Sequence, residues 1–212
     1  SDNSLAVRQF SGGKANLTYL LDYGEREYVL RRPPIGPVAP TAHDMAREHK
    51  VLSVLHEDFP YAPQALHFCD NHEIIGAPFF IMDRKVGVVI RTTLPENFDQ
   101  MTNGPELISA QLINVLAEFH KVDYSALGLD DLGKPEGFLQ RQVKGWKKRW
   151  DKAKHEDLPA VENIYNWLSE NIPETKNYSI IHNDYKLDNV MYNTNDPGKL
   201  IAVFDLSLIH IS

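Results

Sequence analysis

The sequence predicts an α+β protein in two lobes, and three observations carry that reading. Short, alternating β-type runs broken by turn residues fill the first 83 positions. Beyond Gly87, apolar residues recur at helical spacing. The chain then returns to short apolar strands around a dense polar cluster at residues 179–193, SIIHNDYKLDNVMYN. Strands first and helices after is the order of an α+β architecture. The lobes are assigned to residues 1–83 and 84–205, leaving 206–212 as a tail.

Each element follows from its own pattern. LAVRQF and NLTYLLDY flank SGGKA and read as a hairpin, and a turn at Gly24-Glu25-Arg26 leads to a third strand, EYVLR. Residues 32–40 hold four prolines, which excludes helix and central strand. A helix is expected from about Ala42 to His56, with Met45, Leu52 and Leu55 on one face. ALHFCD and PFFIMD read as strands. Three helices are marked by Ile108/Leu112/Val115/Phe119, by Leu139/Val143/Trp146/Trp150 and by Val161/Tyr165/Leu168/Ile172. SIIH, NVMYN and LIAVFD close the chain as strands, the last two joined by the turn TNDPGK.

Composition narrows the function classes. A net charge of −7 over 212 residues argues against a nucleic-acid binder, because phosphate backbones demand clustered cations. No apolar run approaches the length of a membrane span, and SDNSLAVRQF lacks the order of a signal peptide. The single cysteine, Cys69, rules out an internal disulfide framework and suits a reducing, cytoplasmic setting.

The polar cluster carries the chemistry. His182-x-Asp184-x-x-x-x-Asn189, set between two strands, has the spacing of a kinase catalytic loop. Asp184 offers a carboxylate to accept a hydroxyl proton, Asn189 an amide oxygen for Mg²⁺, and Lys186 an ammonium for a phosphate in transfer. His182 is expected to organise the loop. The same spacing also fits a polar hairpin corner with capping Asp and Asn. Asp205 ends the next apolar strand, where a second metal ligand belongs, and strand pairing brings it to the edge that holds Asn189.

At the front, Gly12 and Gly13 between two strands allow backbone N–H groups to approach phosphate oxygens. In EYVLRR, alternation places Arg31 on the face of Val29 and Arg32 on the other. Glu48 falls inside the apolar stripe of the first helix, either as a border glutamate reaching water or as a buried one that needs an opposite charge, with Arg31 the natural candidate and Arg32 also able to reach it. RQVKGWKKRWDKAK (141–154) holds seven basic residues and one acid. It reads as a solvated helix face with tryptophans turned inward, or as a landing patch for a phosphorylated or CoA-bearing acceptor.

Assembled in this order, FSGGKANLTY, YVLRRPP, AHDMAREHKVL, GAPFFIMDR, RQVKGW and IIHNDYKLDNVMYN ending at AVFD resemble the aminoglycoside phosphotransferase and choline kinase-like family. This is the small-molecule branch of the protein-kinase-like fold, and the likeness is to the kinase-like domain fused ahead of acyl-CoA dehydrogenases. The resemblance implies a β-rich nucleotide lobe, a mainly helical rear lobe, and ATP with Mg²⁺ as cofactors. It implies partners that are a nucleotide and a small-molecule hydroxyl acceptor, with no nucleic acid or membrane. By position, Ser11, Gly12, Gly13 and Asn16 would form the nucleotide loop, and Arg31, paired with Glu48, would hold phosphates. Met82-Asp83-Arg84 would be the adenine hinge, Asp184 the base, with Lys186 and His182 beside it, Asn189 and Asp205 the metal ligands, and Asp188 a brace. A nucleotide-binding pseudokinase or regulatory module is the alternative. Two departures stand out. Asn183 occupies a position where relatives commonly have glycine, and LSLIHIS follows Asp205 where relatives continue into further helices. That heptapeptide reads like a translated sequencing adapter, so residues 206–212 are expected to be non-native and the rear lobe incomplete.

Overall fold

The computed structural model describes residues 5–10, 16–34, 44–175, 177–206 and 210–211. Its front is a five-stranded antiparallel sheet in the order β1-β2-β3-β5-β4, built from β1 (Ala6–Gln9), β2 (Leu17–Asp22), β3 (Glu27–Arg32), β4 (Ala65–Cys69) and β5 (Phe79–Asp83). The β2–β3 connection closes where Asp22 accepts the Gly24 N–H at 2.8 Å. Gly24 adopts φ 83°, a left-handed conformation that glycine reaches without steric cost. Ser11, Gly12, Gly13 and residues 35–43 lie outside the described residues, so the glycine turn and most of the proline loop are expectations only.

Helix α1 (Met45–Asp58) starts later than the expected Ala42. Asp44 caps it, accepting the Arg47 N–H at 2.9 Å, which satisfies one of the open donors of the first turn. Met45, Glu48, Val51, Leu52 and Leu55 are buried at helical spacing and face the sheet. A short α2 (His72–Ile75) between β4 and β5 has too few residues to show a period.

The rear begins at Gly87, whose backbone lies against the carbonyl of Tyr192. A Cβ there would stand 2.3 Å from that oxygen, and Val88 exchanges backbone hydrogen bonds with Tyr192. We expect Gly87→Ala to lower the unfolding free energy by roughly 1–3 kcal/mol, the usual cost of overpacking, read from urea denaturation. A loss below about 0.5 kcal/mol would contradict the close approach.

After α3 (Glu96–Asp99), α4 (Gly104–Phe119) buries Ile108, Val115 and Phe119 and packs on β8 (Asp196–Val203). The β7 (Val190–Asn193)/β8 hairpin turns more tightly than TNDPGK implied: β8 already begins at Asp196, with register shifts next to the turn. α5 (Phe138–Ala153) and α6 (Pro159–Glu170) pack on each other, and neither has a fully buried residue. The tryptophans are therefore not all turned inward as expected: Trp146 is 65% exposed, with the Arg149 guanidinium 4.1 Å from its ring centre. β6 (Ile180–Ile181) pairs antiparallel with β9 (His210–Ile211), and Leu206 and Ile211 are buried. One apolar core runs from Val29 and Leu55 to Tyr192 and Ile211, joined where the Phe59 and Phe119 rings lie 5.0 Å apart. Among the described residues no helix is long and apolar enough to cross a membrane.

Candidate active site

The site forms where the end of the β7/β8 hairpin meets β3 and α1. Phe204 donates its N–H to the Asn189 carbonyl at 2.8 Å, which brings the next residue, Asp205, close to Asn189 along the chain's return. Arg31 reaches across from β3. Its Nε lies 3.1 Å from Glu48 Oε1 and a terminal nitrogen 3.2 Å from Asp205 Oδ1. Arg31 is thus the partner of Glu48, and the alternative falls: Arg32 points the other way and donates to the carbonyls of Ile75 and Pro33. Strand alternation decides this, since neighbouring side chains leave opposite faces.

Glu48 is 2% exposed, and its second oxygen has no hydrogen-bond partner. Burial pushes its carboxyl up to about 7, against the lowering by Arg31 and with a further rise from Asp205. Desolvation outweighs the ion pair here, as is common when a carboxylate leaves water.

The residues of the polar cluster interlock. Asp184 Oδ2 accepts from Asn189 Nδ2 at 3.0 Å and from Lys186 Nζ at 2.9 Å. The hydrogen bond from Lys186 holds the Asp184 carboxyl below its ordinary range, so it is ionised at neutral pH. Asn189 Nδ2 also donates to the Asp184 carbonyl at 2.9 Å. His182 is buried; its Nε2 lies 2.7 Å from the Phe204 carbonyl and its Nδ1 accepts the Asp184 N–H at 3.3 Å. The imidazole therefore ties the loop to the segment that leads into Asp205. Asp188 lies in the 3-10 turn Leu187–Asn189.

Asn183 takes φ 62° and Asp205 φ 59°, both left-handed. At Asn183 the backbone is the reason glycine suits the position, since a left-handed φ costs glycine nothing. Asn183→Val should cost about 1–2 kcal/mol, because a β-branched residue is strained at that φ, while Asn183→Gly should be near neutral. Equal stability of the two variants by thermal denaturation would oppose this.

The other expected contacts are placed less uniformly. Asn16 is buried immediately before β2, the one described residue of the four expected to form a nucleotide loop. Met82 is paired in the sheet to both Val29 and Ala65. Asp83 uses its N–H on the Gln64 carbonyl at 3.0 Å and its carboxylate on the Gln64 N–H at 2.6 Å. Of the three hinge positions, Arg84 stands past the ladder, its side chain on Glu27. Two tyrosines that sequence reasoning missed hold the loop to α4. Tyr185 donates its hydroxyl to the Leu112 carbonyl and Tyr192 to that of Ile108, each at 2.9 Å. Burial pushes Tyr192 up to about 12 and Tyr185 up further from the ordinary phenol value. A tyrosine at a buried strand position was the available signal, since its hydroxyl then needs a partner. No cluster of three His, Cys, Asp or Glu that could hold a metal exists among the described residues. A site here would rest on two protein oxygens, from Asn189 and Asp205, a hard donor set that suits Mg²⁺ completed by water and phosphate.

The phosphotransferase enzyme family, APH, matches residues 6–212. Acyl-CoA dehydrogenase family member 11 of Gallus gallus is 36% identical over 210 residues, covering 97% of this chain and 26% of that protein. The probable acyl-CoA dehydrogenase IBR3 of Arabidopsis thaliana is 29% identical over 217 residues, covering 95% of this chain and 26% of that one. The chain thus spans about a quarter of the length of these curated relatives. Among solved structures, a putative aminoglycoside phosphotransferase from Ralstonia eutropha superposes with a TM-score of 0.83 at 30% identity, over 100% of this chain and 61% of that one. A thermostable mutant of aminoglycoside phosphotransferase APH(4)-Ia, in ternary complex with AMP-PNP and hygromycin B, shares the fold with a TM-score of 0.66 at 18% identity, over 99% and 69% of the two chains. The match over residues 6–212 places the chain in the APH phosphotransferase enzyme family.

Proposed function

We propose that the chain transfers the terminal phosphoryl group of ATP to a hydroxyl of a small molecule, in the presence of Mg²⁺. The observation that carries this is convergence: Asp184, Lys186 and Asn189 interlock, and Asp205, held near Asn189, meets Arg31 of the Arg31–Glu48 pair. Asp184, ionised through Lys186, accepts the hydrogen bond of the acceptor hydroxyl and aims its oxygen. Lys186 carries positive charge at the edge of the loop, where a phosphoryl group in transit is anionic. Arg31, held by Glu48, presents its guanidinium to nucleotide phosphates. Asn189 and Asp205 would hold a magnesium ion, which supplies charge neutralisation between phosphate oxygens. Likeness to acyl-CoA dehydrogenase relatives supports a hydroxyacyl-type metabolite, free or as a thioester, as the acceptor.

Binding and transfer are tested in two steps. Saturating ATP with Mg²⁺ should raise unfolding stability by about 2.7 kcal/mol at a hundredfold excess over its dissociation constant, and chelation should reverse most of that. No stabilisation with or without metal would remove the nucleotide site. ADP release is then followed against hydroxy acids, their CoA thioesters and aminoglycosides. Nucleotide binding without turnover on any of them would favour a binding module over a kinase.

A further inference from the structure

An open cleft lies away from these residues, beside α1. It offers about 570 Å³ and is lined by Arg47, Asp131, Leu132, Gly133, Lys134, Phe138, Arg141 and Gln142. That volume is in the range of small-molecule sites. None of its lining residues belongs to the candidate active site. Arg47 precedes Glu48 by one residue, about 100° around the helix, so the two side chains leave different faces of α1.

We infer that this cleft is an oxyanion site for a phosphate group, read by Arg47, Lys134 and Arg141. Three cations come from three separate stretches of chain, α1, the 133–137 segment and α5, and converge on one concavity. Two of the three are positioned by backbone. Arg47 donates to the Leu132 carbonyl at 2.8 Å, and Arg141 donates to the carbonyls of Lys134 and Glu136. Guanidinium groups steadied by neutral carbonyls keep their full charge and lose less freedom when an anion arrives. The one acid of the lining, Asp131, is met by Lys50 at 2.7 Å, which offsets its repulsion of an incoming anion. Leu132 and Phe138 supply an apolar wall, so a phosphate carried on an organic group fits better than a bare ion. A phosphate bound there ties α1, which carries Glu48, to the segment that opens α5.

Inorganic phosphate at constant ionic strength is the probe, read by ¹H–¹⁵N spectra of the whole chain so that the site of binding is seen directly. The amides of Gly133, Lys134, Phe138 and Gln142 should shift together along one saturating curve. Lys134→Ala removes an exposed cation that anchors no carbonyl and should weaken that curve at least about threefold; adding Arg141→Ala should abolish it. A phenyl phosphate should bind more tightly than inorganic phosphate. Shifts confined to the neighbourhood of Asn16, Arg31 and Asp205, an unchanged curve in the double variant, or no shifts at all would each overturn the assignment. None of these readings depends on catalysis.

Discussion

Asp184→Asn lowers phosphoryl transfer by about a thousandfold and leaves nucleotide affinity within about twofold. The reason is local. The carboxylate is held ionised by Lys186 and oriented by Asn189, so it offers a charged acceptor at a fixed place. The amide keeps the shape but loses the charge that draws the hydroxyl proton. Nucleotide contacts are assigned to Arg31, Glu48, Asn189 and Asp205, and the substitution leaves those side chains in place. The measurement is turnover with ATP and a working acceptor, beside ATP affinity from thermal shift. A variant that keeps more than about a tenth of wild-type turnover would sink the role given to Asp184.

The second large effect concerns stability. Arg31→Met should cost about 3–5 kcal/mol at pH 8, because it strands the buried Glu48 carboxylate without its partner. The cost should shrink at pH 5. Glu48 has a folded value of about 7, raised above its ordinary 4.5 chiefly by burial. A raised group contributes its stability fully below its unfolded value and loses it as pH climbs through the folded one. Glu48 therefore destabilises the fold progressively from about pH 4.5 to 7 and no further above that. Glu48→Gln, which stays neutral, should compare more favourably with wild type at pH 8 than at pH 5. Burial lowers His49 and His120, which lose stability as pH falls below 6.5, so the difference between wild type and variant is the quantity to follow. Urea denaturation at the two pH values gives it. A difference independent of pH would mean that Glu48 does not titrate in that window.

Much of the fold was legible because local periodicity is local physics. The β2–β3 hairpin, α1, α4 and the β7/β8 hairpin each bury one face, and the spacing of their apolar residues shows it. The α5/α6 pair shows the limit of that argument. Both helices have amphipathic sequences, yet Trp146 and Leu168, each on its helix's apolar stripe, are 65% and 40% exposed. A stripe of apolar residues tells which side can be buried, and only a neighbouring surface makes it so.

The polar cluster of the candidate site was legible for a different reason: His182, Asp184 and Asn189 stand within eight residues of one another. Which cation meets Glu48 was not, since two adjacent arginines carry the same charge and differ only in the face they leave. By itself the sequence determined which charges the site possesses and on which elements they ride. The tertiary structure alone decided that Arg31 bridges Glu48 and Asp205, the latter 174 positions away in the chain. Electrostatic pairing falls with distance through space and is blind to distance along the chain.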